Sequence, residues 1–177
     1  MTPHHQYTAL SDENPWEDSD WLPSHAEFLL PKGRLAQMLL ETPVTEVTAS
    51  DFVTVKPDDN MELALWRMRQ HRNRAALVMK GDALVGIVTE RDAVLNIEPG
   101  TTGADVRVGD LMATDLVLIG MDEPVGCAVQ RLVGEGVHHL PVVDEIQARV
   151  LGVVTQGPLM HRIIETILND EWTGESS

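Results

Sequence analysis

Apolar and polar positions follow two periods along this chain, and the two periods occur in the same order twice. Residues 53–55, 75–79 and 84–88 are short apolar runs rich in β-branched residues, as strands require. Residues 61–71 instead place Leu65 and Met68 on one face at helical spacing. The strand signature returns at 117–119, 140–143 and 150–154, and the helical one at 125–135 with Val129 and Leu132. Closing helices are expected over 90–95 and 158–168. Gly81-Asp82 predicts a tight hairpin in the first copy, and 144–149 a longer connection in the second. The predicted fold class is α/β of the α+β kind, built from two β-α-β-β-α repeats. One such unit of about 55 residues leaves a face of its sheet bare, so the two are expected to pack as one body.

The repeat is also visible residue by residue. Glu46-Val47-Thr48-Ala49-Ser50-Asp51-Phe52-Val53 lies over Asp110-Leu111-Met112-Ala113-Thr114-Asp115-Leu116-Val117 at an offset of 64. Ala76 over Pro141 gives an offset of 65, and Gly86 over Gly152 gives 66. On that alignment one residue is inserted near a helix end and one in the hairpin. The expected organisation is an acidic arm and helix over 1–41, a first repeat over 42–104, a second over 105–169, and a tail over 170–177. The arm, residues 1–23, is polar and punctuated by proline, with Trp16 and Trp21 either strapping it to its own domain or a partner or standing exposed on a disordered tail. A helix fits 24–41, split by Pro31 and Gly33, with Phe28, Leu29, Leu35, Met38 and Leu39 as anchors.

Composition narrows the function. The chain has 177 residues, 43% of them hydrophobic, enough for a sizeable core. With 28 acidic and 13 basic residues its formal charge is −15, which argues against nucleic-acid and anionic-membrane partners. No apolar run approaches the roughly 18–20 residues of a membrane span and no signal segment is present, so a cytoplasmic location is expected. A single cysteine, Cys127, excludes an internal disulfide and falls in an apolar helical pattern, as a small buried residue would. Adjacent His4 and His5 lack a third ligand for a metal. No nucleophile-base set, phosphate loop or metal cluster supports an enzyme. Trp66 and Trp172 are expected in a core or interface.

The stretch with most chemistry is Gly86-Ile87-Val88-Thr89-Glu90-Arg91-Asp92, a strand running into a helix. Thr89 suits a helix N-cap, and Asp92 a first-turn carboxylate that satisfies free backbone N–H groups. The stretch recurs as Gly152-Val153-Val154-Thr155-Gln156-Gly157-Pro158, where proline replaces the carboxylate. A helix that starts without the aspartate in one copy suggests a ligand role for it in the other. Arg67, Arg69, Arg72 and Arg74 lie within eight positions, and Arg74 falls beside the predicted site.

These residues resemble the cystathionine beta-synthase (CBS) domain, here as a tandem pair or Bateman module, over about residues 44–168. The resemblance is carried by Val108-Gly109-Asp110-Leu111-Met112, by His139-Leu140-Pro141-Val142-Val143-Asp144 and by the two glycine motifs in register. It implies a pseudo-twofold pair that senses an adenosine-containing ligand (AMP, ADP, ATP or S-adenosylmethionine), needs no cofactor, forms a homodimer and signals to an unknown protein partner. By the same resemblance Asp92 would receive ribose hydroxyls and Thr89 phosphate, with Arg91, Arg74 and Asn73 nearby. The second site, altered by Pro158, keeps Thr155 and the pair His138-His139 where the family places phosphate-contacting residues. Ala76 stands where the family commonly has proline. The alternative is a ligand-free interaction module acting through dimerisation and the arm. Adjacent in a strand, His138 and His139 point to opposite faces, so at most one enters a given site.

Overall fold

The computed structural model describes residues 33–172, with side chains to 169. His4, His5, Trp16, Trp21, Phe28, Leu29 and the Trp172 side chain lie outside the described residues. Helix α1 (Gly33–Glu41) and a 3-10 turn (Val44–Val47) precede the first repeat: β1 (Val53–Val55), α2 (Met61–His71), β2 (Ala75–Lys80), β3 (Ala83–Thr89) and α3 (Glu90–Asn96). A short α4 (Val108–Leu111) leads into the second: β4 (Ile119–Gly120), α5 (Val125–Gly134), β5 (His139–Asp144), β6 (Arg149–Thr155) and α6 (Gln156–Trp172). Each repeat is a three-stranded sheet, its first pair parallel and its second a hairpin, and the fold is α+β as expected.

Local chemistry explains the helix ends. Asn60 Oδ1 accepts from Leu63 N at 2.9 Å to start α2, and Arg72, left-handed at φ 55°, ends it. Helix α6 begins at Gln156, two residues before the expected start, because Pro158 lies in the first turn where its missing N–H has no intrahelical partner to lose. Strand β4 is displaced from the expected 117–119. Val117 packs on the second core and Leu116 and Leu118 between the sheets, so the alternation holds, but the ladder forms only at Ile119 and Gly120.

The ladders correct the repeat alignment. Val78 pairs with Val55 and Gly86, while Val142 pairs with Ile119 and Gly152. The offset therefore stays at 64 through the middle strand, and both extra residues lie in the second hairpin. Leu77, not Ala76, is the counterpart of Pro141. Arg74 is matched with His138, whose carbonyl oxygens accept from Glu90 N and Gln156 N at 3.1 Å each.

Each sheet packs one face on helices. Ala76, Val78 and Val88 join Met61, Ala64, Met68 and Ala93 in the first core; Leu140, Val142 and Val154 join Val125, Ala128, Leu132, Leu159 and Ile163 in the second. The opposite faces meet each other through Leu77, Leu84 and Val153. The lead-in segments cross over: Val44 is fully buried in the second core and Val108 in the first. Their crossing continues as bridges onto the sheet edges, Ala49 with Val153 and Ala113 with Ile87. At these crossings stand the motif glycines. A Cβ on Gly152 would collide with the Ala49 carbonyl oxygen and stand 2.5 Å from Thr48 Cγ2, and one on Gly86 would stand 2.6 Å from Met112 Sδ. The glycine half of the motif is thus required for close approach.

Candidate functional site

Thr89 and Asp92 form a reciprocal capping box at the start of α3. Asp92 N donates to Thr89 Oγ1 at 3.2 Å, and Asp92 Oδ2 accepts from Thr89 N at 2.8 Å and from the Thr89 hydroxyl at 2.7 Å. Both residues are half-buried. The cap engages one carboxylate oxygen; Oδ1 takes no hydrogen bond among the described residues. A helix cap and a free acceptor therefore coexist in one side chain.

Strand alternation decides which side chains of one sheet are turned toward the other. Leu140 and Val154 are paired and face the second core, whereas Pro141 and Val153 are paired and turned toward the first repeat. The next pair, His139 with Thr155, lies on that same inward face. In the first repeat the equivalent pair is Ala75 with Thr89, so alanine stands where the second repeat has an imidazole. His139 reaches into the electrostatic range of first-repeat groups. Burial holds its imidazole below the ordinary value, the positive fields of His138 and Arg74 push the same way, and the Asp92 carboxylate opposes them. Neither ring nitrogen of His139 has a hydrogen-bond partner among the described residues.

Asp92, capped on Thr89, and Arg74 thus lie within electrostatic range of His139, which pairs with Thr155 in the second repeat. Other expected residues are placed differently. His138 is exposed and its Nδ1 pairs with Gln156 Oε1. Asn73 donates from Nδ2 to the Asp51 carbonyl at 3.0 Å, pinning the strand start rather than presenting its amide. Arg91 is exposed without a hydrogen-bond or ion-pair partner among the described residues. Arg67 turns away, donating to the Thr54 carbonyl at 2.8 Å, so the arginine group does not act as one patch. Trp66 is 58% exposed and outside the core. Two open concavities, of about 580 and 420 Å³, lie elsewhere, beside Trp66 and between α1 and α6. No group of three or more potential metal ligands occurs among the described residues, and no described helix is long and apolar enough to cross a membrane. His139 is expected in a separate second-repeat site, and the ladder instead turns it toward the first repeat; alternation carries that signal in the sequence only once the buried face of β5 is known.

The family model for the CBS domain matches residues 44–98 and 108–164. The chain belongs to the CBS domain family. CBS domains are typically regulatory, non-catalytic modules, and the two repeats are a tandem pair of them. An uncharacterised protein of Methanopyrus kandleri is 29% identical over 119 residues, 66% of this chain and 60% of that relative's length. The structure of CBSX2 in complex with AMP is similar at a TM-score of 0.59 and 20% identity, covering 70% of this chain and 97% of that one. The CBS domain of a bacterial CNNM/CorC family Mg²⁺ transporter, in complex with ATP, reaches 0.65 at 22% identity, covering 80% and 98%. At these identities the likeness is one of fold.

Proposed function

We propose that this CBS pair is a regulatory sensor of an adenosine-containing ligand, held in the inter-sheet cleft by Asp92, Thr89 and Arg74. The observation that carries the reading is Asp92: its Oδ2 is committed to the cap while Oδ1 stays open as an acceptor for ribose hydroxyls. Arg91, exposed in the first turn of α3, supplies a second cation for phosphate. Binding of AMP and ATP by two proteins of the same fold supports the ligand class. The bound state would reach a partner protein by favouring one of two arrangements of repeats or subunits.

Calorimetry with AMP, ADP, ATP and S-adenosylmethionine tests this. A charge-assisted hydrogen bond contributes about 2 kcal/mol, so Asp92→Asn should weaken binding about thirtyfold. The near-isosteric amide keeps an acceptor for the cap, and melting without ligand reports any loss of the cap separately. Unchanged affinity in Asp92→Asn removes Asp92 from the site.

The competing reading, a ligand-free interaction module, draws on Pro158 and on exposed apolar side chains of the closing helices. Val94 and Leu95 on α3 are 81% and 68% exposed, and Ile164 and Leu168 on α6 are 50% and 60% exposed. A homodimer through these helices suits both readings. A nucleotide screen by thermal shift separates them, because a ligand at 100 times its dissociation constant adds about 2.7 kcal/mol.

A further inference from the structure

We propose that the acidic arm of this chain, through residues 12–21, docks on an arginine corner of the first repeat and there competes with the phosphate of a bound nucleotide. The docking stands on charge and chain length alone; the competition rests on the nucleotide reading of the neighbouring site.

The corner lies where α2 ends and α3 begins. Arg72 N donates to the Arg69 carbonyl at 3.3 Å, and Glu90 N to the Arg74 carbonyl at 3.1 Å, which gathers Arg69, Arg72, Arg74 and Arg91 into one region. All four are exposed. Among the described residues Arg67, Arg107, Arg131 and Arg149 are each ion-paired with a carboxylate, whereas these four have no hydrogen-bonded or ion-paired side chain. Three carboxylates share the corner: Asp51, whose Oδ1 lies 3.3 Å from His71 Nδ1, Asp92 in its cap, and Glu90. None of them is paired with these arginines.

The fold does not require the four cations. Their counterparts in the second repeat are Val133, Gly136, His138 and Gly157. Arg72 holds a left-handed backbone at φ 55°, where its counterpart Gly136 has φ 65°. An arginine kept at a position that favours glycine points to use of its side chain.

The arm supplies the complement. Asp12, Glu13, Glu17, Asp18 and Asp20 place five carboxylates in nine positions, interleaved with Trp16 and Trp21. Carboxylates take paired N–H donors from a guanidinium group, and an indole stacks on its flat face. The arm joins the described structure at Gly33. Even with residues 24–32 coiled as a helix, the stretch from Asp12 to Gly33 spans about 53 Å. A compact body the size of residues 33–172 is about 37 Å across, so the arm reaches the first repeat of its own chain.

Spin labelling of the full chain tests the docking. Ser19→Cys carries a nitroxide, and the buried Cys127 escapes labelling. At about 0.1 M salt the label should broaden the backbone NMR signals of Arg69, Arg72 and Arg91. The broadening should vanish at about 1 M salt, where the screening length falls from about 10 Å to about 3 Å. It should also vanish in Arg69→Glu/Arg72→Glu, whose melting curve checks its folding. No broadening at the corner, or broadening that survives the double variant, overturns the docking. Broadening of an isotope-enriched chain without label by a spin-labelled chain mixed with it assigns the arm to a second copy, and overturns docking within one chain. For the competition, the five arm carboxylates are replaced by amides and AMP binding is measured by calorimetry. An arm that covers the corner about nine-tenths of the time weakens AMP about tenfold, so the amide variant should bind it about tenfold tighter. Equal affinity overturns the competition. Absence of AMP binding by both proteins overturns the nucleotide reading with it, while the spin label decides the docking by itself.

Discussion

Gly152→Ala gives the sharpest test of how the two repeats hold each other. Gly152 lies where the lead-in segment of the first repeat crosses the last strand of the second. There Ala49 N donates to the Val153 carbonyl, and Val153 N to the Ala49 carbonyl, both at 3.0 Å. A methyl group at residue 152 would collide with the Ala49 carbonyl oxygen and sit 2.5 Å from Thr48 Cγ2. The obstacle is backbone, so relief requires the segment to retreat, and Val44, fully buried in the second core, anchors its other end. Overpacking costs about 1–3 kcal/mol, and each bridge hydrogen bond lost adds about 1 kcal/mol. The lower entropy of an unfolded chain carrying alanine returns about 0.4–1 kcal/mol, leaving a net destabilisation of about 2–3 kcal/mol. At Gly86 the nearest obstacle is Met112 Sδ at 2.6 Å, a flexible side chain, with the Ala113 carbonyl oxygen at 3.1 Å. Gly86→Ala should cost about 1 kcal/mol. In urea unfolding, with a slope of about 2 kcal/mol/M, Gly152→Ala should lower the midpoint by about 1 M and Gly86→Ala by about half that. A Gly152→Ala protein within 0.5 kcal/mol of the parent, or a Gly86→Ala protein that is the less stable of the two, refutes the crossing as the reason for these glycines.

Glu123→Ala should destabilise by about 2 kcal/mol in the same assay, because Glu123 Oε1 accepts from Gly120 N and from Arg131 Nη1, each at 2.7 Å in a half-buried setting. Glu123→Gln, which keeps an acceptor, should recover part of that loss. The ligand-free protein should lose stability as pH falls below about 6.5, since the folded state holds His139 below its ordinary value while the unfolded chain accepts the proton. That contribution is present above the unfolded value and is lost down to the folded midpoint; melting curves between pH 7.5 and 5 should be flatter for His139→Asn. Ile164→Glu with Leu168→Glu should convert a dimer to a monomer by light scattering without loss of secondary structure, since both side chains are exposed on the single chain. A monomeric parent removes the closing helices as the dimer face.

What the sequence determined by itself was local or periodic. Alternation placed most strands, helical spacing placed α2 and α5, and Thr89 with Asp92 announced a cap whose hydrogen bonds all lie within four residues. The repeat was legible because both copies keep the same order of elements, and the asymmetry of Asp92 against Pro158 needed no coordinates. Tertiary structure decided matters that depend on register. An insertion can be slid along a sequence alignment at little penalty, but ladder pairing allows one position, and it moved the extra residues into the second hairpin and matched Arg74 with His138. Nor could local pattern show that Val44 and Val108 are buried in each other's repeat, because crossing segments have the same hydrophobic signature wherever they pack. The inward turn of His139 is the same kind of fact. Adjacent histidines must face opposite ways, but only the pairing of β5 with β6 and the packing of Val153 against the first sheet say which one is turned toward the first repeat.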